Sequence, residues 1–102
     1  MMAARITTDG PAKPVTAVSR ATLILRHLGR STEPLGVNRI ARELELIPST
    51  ALHILRTLAH EDLVVFDSNT KRYSLGVGIL GIARNMLSQS GFVQAVQGHL
   101  EA

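Results

Sequence analysis

Up to residue 60, the apolar residues of this chain recur every three or four positions, which predicts amphipathic helices. The first stripe predicts a helix from Ala17 to Leu28 that ends at Gly29; its members are Val18, Ala21, Leu25 and Leu28. A second stripe predicts a shorter helix after the linker Glu33-Pro34, and it consists of Val37, Ile40, Ala41 and Leu44. Residues 45–47 then form a tight connection into a third helix.

The third helix is predicted to start at Pro48, which has no N–H to leave unpaired in a first turn. The hydroxyl of Ser49 or Thr50 can bond the free amides there. One side of the helix is apolar and carries Ala51, Ile54, Leu55 and Leu58. The opposite side carries hydroxyls, imidazoles and a guanidinium, with no acid before Glu61; it consists of Ser49, His53, Arg56, Thr57 and His60. Such a face can enter a DNA major groove without repelling phosphates, so it predicts a recognition helix.

After residue 62 the apolar period changes to two, which indicates strands. Leu63 to Phe66 predicts one strand, residues 67–71 have turn chemistry, and Arg72 to Leu75 predicts the partner strand. The predicted fold is mainly α with a small β-hairpin: a winged helix-turn-helix with a three-helix core and a wing, followed by a linker helix.

The linker helix is predicted from Val77 to Ser88 and is apolar on several sides, so that part of it should meet a second chain. Gly76, Gly78 and Gly81 are interpreted as a flexible hinge before it. We therefore expect a disordered arm over residues 1–15 and a DNA-binding domain over residues 16–76. Residues 77–102 should form a dimerisation helix and the start of a connector.

The composition narrows the function classes. The chain has 102 residues, enough for one small domain. Its 11 Lys and Arg outnumber its 8 Asp and Glu, which gives a net charge of +3. This charge fits a nucleic-acid partner but is too small to establish one by itself. The absence of cysteine excludes disulfides, thiolate zinc sites and cysteine nucleophiles. The histidines lack metal-ligand spacing and the serines lack catalytic partners, so we expect no enzyme activity, no metal and no cofactor. No apolar run nears the ~20 residues that span a bilayer, and the default expectation is a cytoplasmic protein.

Several of these segments together resemble the N-terminal DNA-binding domain of the isocitrate-lyase-regulator (IclR) family of bacterial transcription factors. The resemblance extends from about Val18 to Leu100 and is carried by Val18-Ser19-Arg20-Ala21, Ile40-Ala41, Pro48-Ser49-Thr50-Ala51, and Lys71-Arg72-Tyr73-Ser74-Leu75-Gly76. It implies a homodimer whose two recognition helices enter successive major grooves of a pseudo-palindromic operator in double-stranded DNA. It also implies a small organic effector that binds a separate C-terminal domain, and we expect that domain to be absent from this chain.

The chain departs from the family pattern at three places. Leu52-His53 stands where the family often has His-Arg, which exchanges a cation for an imidazole. Gly36 and Arg39 stand where a capping box is common, so the second helix should start less firmly. Gly98 stands where the connector usually has proline.

These considerations predict two sets of contact residues. Base readout is assigned to Ser49, Thr50, His53, Arg56 and Thr57. Phosphate contact is assigned to Arg20, Arg39, Arg42, Lys71 and Arg72. Roles that do not involve DNA remain open for some residues. Ser49 and Thr50 could be helix caps, Arg20 could form an ion pair between subunits, and Tyr73 could be a packing residue.

Two other functions remain as alternatives. The winged helix could bind a protein partner through its third helix, without reading DNA. It could also be a subdomain of an enzyme whose active site lies elsewhere, although no motif in the chain supports this. The salt dependence of the affinity distinguishes DNA binding from protein binding. Each phosphate that the protein neutralises releases counterions, so DNA binding weakens steeply as the salt concentration rises.

Overall fold

The computed structural model describes residues 15–89. The elements in chain order are α1 (Thr16–Arg30), β1 (Leu35–Gly36), α2 (Val37–Leu44), α3 (Pro48–His60), β2 (Val64–Asp67), β3 (Arg72–Leu75) and α4 (Gly78–Ser88). Within these residues, four helices and a three-stranded sheet form a winged helix, which confirms the predicted fold class. The predicted arm, apart from Val15, and the predicted connector with Gly98 lie outside the described residues.

The core lies where α1, α2 and α3 meet the inner face of the sheet. Ile24, Ile40 and Leu55 are completely buried, one from each helix. Burial of one such side chain is worth about 1.5–3 kcal/mol, so these contacts outweigh the modest helix propensity of the β-branched residues. The predicted stripes of α2 and α3 therefore face the core, as their spacing requires. The stripe of α1 does so except at Val18, which is 62% exposed.

The end of α1 differs from the prediction. The helix continues through Gly29 to Arg30 and ends at Ser31, whose extended backbone donates its amide to the carbonyl of Leu28 at 3.2 Å. The prediction of Gly29 as the stop was wrong because Leu28 is buried in the core and the last turn stays helical around it. A glycine ends a helix only where the backbone adopts the left-handed conformation.

The wing is a β2–β3 hairpin, and a third strand joins it. All pairs are antiparallel in the order β1-β3-β2, with Tyr73 opposite both Leu35 and Phe66. The strand Leu35–Gly36 was missed because two residues carry no periodic signal. The turn forms at the expected place: Lys71 has a φ of 61° and donates its amide to the Asp67 carbonyl at 2.7 Å.

The junction between the wing and α4 is closely packed. The amides of Gly76 and Gly78 donate to the carbonyls of Leu63 and Asp62, both at 2.9 Å. A Cβ at Gly76 would lie 2.6 Å from the Asp62 carbonyl oxygen, and one at Gly78 would lie 2.5 Å from it. The interpretation of these glycines as a flexible hinge was therefore wrong: they permit a close backbone approach.

Helix α4 packs little against the described part of the chain. It contributes no buried residue, and Val77 and Ile82 are 77% and 73% exposed. The breadth of its apolar surface matches the sequence pattern. A second chain covering it remains a prediction.

Candidate nucleic-acid interface

The start of α3 presents two hydroxyl residues to solvent. Pro48 is the first helical residue, and the preceding residue, Ile47, has extended backbone and makes no side-chain cap. The capping role considered for Ser49 and Thr50 was wrong, because both residues already lie inside the first turn. Ser49 is exposed and Thr50 is half-buried at the edge facing α1.

The outward face of α3 has the polarity that the sequence predicted. Ser49, His53, Arg56 and Thr57 are all exposed. The Thr57 hydroxyl donates to the His53 carbonyl of its own helix at 3.1 Å, which occupies its proton and leaves its oxygen as an acceptor. No carboxylate appears on this face before Glu61.

A depression on the α1 side of this face brings four predicted contact residues together. Arg20 of α1 lines it together with Ser49, Thr50 and His53 of α3. Arg20 therefore lies beside the first two turns of α3, although it precedes Ser49 by 29 positions in the chain. An arginine at this place is suited to phosphate contact if α3 enters a DNA groove.

A second depression lies on the other side of α3, between that helix and the wing; we call it the wing groove. Its volume is about 340 Å³, and its apolar lining is Val37, Leu52, Ala59, Phe66 and Tyr73. The exposed side chains of Arg56 and Lys71 complete the lining. Tyr73 is 4% exposed and its ring centroid lies 4.8 Å from that of Phe66, which confirms it as a packing residue.

The two candidate cations of α2 differ in their surroundings. Arg39 donates from Nε to Glu43 at 2.9 Å and from Nη1 to Glu33 at 3.3 Å. These hydrogen bonds raise the pKa of the Arg39 guanidinium and lower the pKa of Glu43. Two carboxylates thus offset the charge of Arg39, whereas Arg42 is exposed and makes no ion pair within residues 15–89.

The two wing cations also differ. Lys71 lines the wing groove beside α3. Arg72 lies opposite Asp67 in the backbone register of the hairpin, and the Asp67 carboxylate accepts the Asn69 amide at 2.9 Å. Because successive side chains of a strand alternate between the faces of a sheet, Arg72 lies on the face opposite to the buried Tyr73 and shares that face with the Asp67 carboxylate.

A polar cluster around Glu43 was missed by the sequence analysis. His27 Nε2 of α1 lies 2.6 Å from Glu43 Oε1, so that Glu43 bonds both His27 and Arg39. The Arg39–Glu43 pair has the four-residue spacing of helical ion pairs and could have been found in the sequence. The His27 contact joins residues 16 positions apart and has no local signal.

Comparisons with known proteins agree with this geometry. The sequence profile of the IclR helix-turn-helix domain matches residues 17–68. The chain is 37% identical over 76 residues to a glycerol operon regulatory protein of Streptomyces coelicolor and 34% identical to one of Streptomyces griseus. Each match covers 74% of this chain and 30% of the relative. The chain thus spans less than a third of the length of these relatives.

Solved structures give the same result. An IclR transcriptional regulator from Alicyclobacillus acidocaldarius superposes with a TM-score of 0.71 at 31% identity, covering 74% of this chain and 31% of that one. An IclR-family regulator from Brucella abortus superposes with a TM-score of 0.69 at 30% identity, covering 76% of this chain and 30% of that one.

Within residues 15–89, no helix is both long and apolar enough to cross a membrane.

Proposed function

This chain belongs to the IclR family of helix-turn-helix proteins, and we propose that it binds double-stranded DNA sequence-specifically as part of a transcriptional regulator. Helix α3 would lie in the major groove, and the wing would reach the adjacent backbone or minor groove. The protein would act by binding in the cytoplasm and would carry out no chemistry.

One observation carries this proposal: the outward face of α3 is free of acids and has a cation on each side. Arg20 stands at its α1 edge and Lys71 at its wing edge. A duplex that receives α3 in its major groove presents phosphates on both sides of the helix, and these cations would attract them.

Roles for the ten predicted residues follow from their surroundings. Arg56, His53 and Ser49 would make the main base contacts, with Thr50 and Thr57 at the margins of the same face. Arg20, Lys71 and Arg42 would hold phosphates. Arg39 would contribute less, because it is ion-paired with Glu33 and Glu43. Arg72 would also contribute less, because it lies opposite the acidic Asp67 in the strand register.

The assembly is part of the proposal. We expect a homodimer on a pseudo-palindromic operator, supported by the exposed apolar side chains of α4. A small organic effector would act only through a separate C-terminal domain. The relatives extend well beyond the part that this chain matches, which leaves room for such a domain in them.

The test is selection of bound duplexes from a random pool with the purified 102-residue chain. We expect enrichment of a sequence with two related half-sites, and binding that weakens steeply as salt rises. Absence of any enriched sequence would contradict the proposal and favour the protein-interaction alternative.

A further inference from the structure

The wing groove combines features that the proposed function leaves unexplained. Its lining is formed by the apolar side chains of Leu52, Ala59, Phe66 and Val37, by Tyr73, and by two cations. No carboxylate is among the residues that line it. An apolar concavity beside two cations fits a partner that carries apolar groups next to negative charges.

The groove is bounded by the two elements assigned to DNA contact. Leu52 and Arg56 are one turn apart on α3, and both line it. Leu52 belongs to the N-terminal half of α3, the part of a recognition helix that contacts base edges. A duplex seated on α3 would therefore bring a base edge to Leu52 on the α3 side of the wing groove and a phosphate to Lys71 on its wing side.

We propose that the wing groove recognises thymine through its C5-methyl group, with Leu52 as the residue that determines this preference. The inference rests on the proposed function and names the base read by one side of α3. Thymine is the one base that presents a methyl group in the major groove. Arg56 and Lys71 would hold the flanking phosphates or an adjacent guanine, while the apolar lining removes the methyl from water.

The lining also argues against a polar base edge at this place. Leu52, Ala59 and Phe66 offer no hydrogen-bonding side-chain groups, so an amino or carbonyl group placed against them would lose its water without a replacement. A methyl group loses nothing there and gains the free energy of burial. The part of the groove formed by Leu52, Ala59 and Phe66 therefore disfavours a polar base edge, whereas the hydrogen-bonding side chains of the lining are Arg56, Lys71 and Tyr73.

The experiment starts from a duplex selected with the full chain. Each thymine is replaced in turn by uracil, which removes the methyl group and leaves every hydrogen-bonding group in place. Dissociation constants are measured by fluorescence anisotropy for the unsubstituted chain, Leu52→Ala and Leu52→Met. Val65→Ala is the matched control, because Val65 is 50% exposed on the outer face of the wing. Circular dichroism and urea unfolding show that each variant is folded.

We expect uracil at one or two positions of each half-site to weaken binding by the unsubstituted chain about fourfold per methyl. Leu52→Ala should bind thymine and uracil duplexes equally at those positions, whereas Leu52→Met and Val65→Ala should keep the fourfold difference. Insensitivity of the unsubstituted chain to every uracil overturns the inference. So does a methyl effect that persists unchanged in Leu52→Ala.

The two proposals fail in different ways. If no duplex is enriched at all, the DNA-binding function is wrong and the thymine preference falls with it. If a duplex is bound specifically but without any dependence on methyl groups, only the role of the wing groove is overturned.

Discussion

His27 Nε2 lies 2.6 Å from Glu43 Oε1, and the other oxygen of the same carboxylate accepts a hydrogen bond from Arg39 at 2.9 Å. One acid thus ties α1 to α2 and also offsets an arginine on the helix that would cross the DNA backbone. Its loss should affect both the stability of the fold and the charge that the protein presents to a duplex.

The pH dependence of stability should report the carboxylate of Glu43. The hydrogen bonds from Arg39 and His27 lower its pKa in the folded state, so its stabilising contribution is complete above the ordinary pKa of a glutamate. That contribution is lost as the pH falls through the lowered value. We expect the unfolding midpoint of the native chain to fall more steeply than that of Glu43→Gln between about pH 5 and pH 3.

Glu45→Gln provides the control for this experiment. Glu45 is exposed at the end of α2 and makes no ion pair within residues 15–89. Its variant should follow the native curve. Parallel curves for the native chain and Glu43→Gln would contradict the prediction.

Arg56 should determine sequence preference. If its guanidinium is bidentate to a guanine, Arg56→Ala should weaken binding to the selected duplex by about 1–3 kcal/mol and broaden the set of sequences bound. Arg56→Lys should restore much of the affinity on all sequences but not the preference, because an ammonium cannot make the planar double contact. Arg26→Ala removes an exposed charge from α1 and should change neither the affinity nor the sequence preference. An equal loss on every sequence would reassign Arg56 to phosphate contact.

Removal of the two wing cations, Lys71 and Arg72, should have different effects on the salt dependence of binding. Lys71 has a φ of 61°, so Lys71→Asn removes the charge with a residue that tolerates this backbone conformation. We expect the slope of log K against log salt to fall by about 0.9 in Lys71→Asn. Arg72→Ala should change it less, because Arg72 lies opposite the acidic Asp67 in the strand register and shares its face of the hairpin. Equal slopes for the two variants would remove the distinction drawn between them.

The three glycines around the start of α4 should respond differently to alanine. A Cβ at Gly76 or Gly78 would lie 2.6 or 2.5 Å from the rigid carbonyl of Asp62, so Gly76→Ala and Gly78→Ala should each destabilise the fold by about 1–3 kcal/mol. At Gly81 nothing lies within 4 Å, and Gly81→Ala should stabilise it by about 0.5–1 kcal/mol through helix propensity. Urea unfolding measures all three, and a flexible junction would give similar values at each.

Local patterns in the sequence predict most of the fold. Helix α2 lies where the stripe from Val37 to Leu44 predicts it, because four apolar residues at helical spacing allow few other ways to reach the core. The outward direction of Arg56 follows from the same periodicity. Proline at the first position of α3 marks its start directly.

Other features depend on the approach of distant segments and have no local signal. Helix α1 continues past Gly29 because Leu28 is buried in the core. The function of Gly76 and Gly78 depends on a carbonyl 14 and 16 residues earlier in the chain. The wing groove exists only because Leu52 and Phe66 are brought together by the turn after α3.

The two glycines beside Asp62 have a mechanical consequence. The amide of Gly78 donates to the carbonyl of Asp62 and that of Gly76 to the carbonyl of Leu63, so the start of α4 is hydrogen-bonded to the turn that follows α3. A tilt of α4 at its first residue would have to break the Gly78 bond or move this turn with it. A clamp on α4 would orient α3 from a distance, and two chains joined through α4 would present their α3 helices at a preset separation.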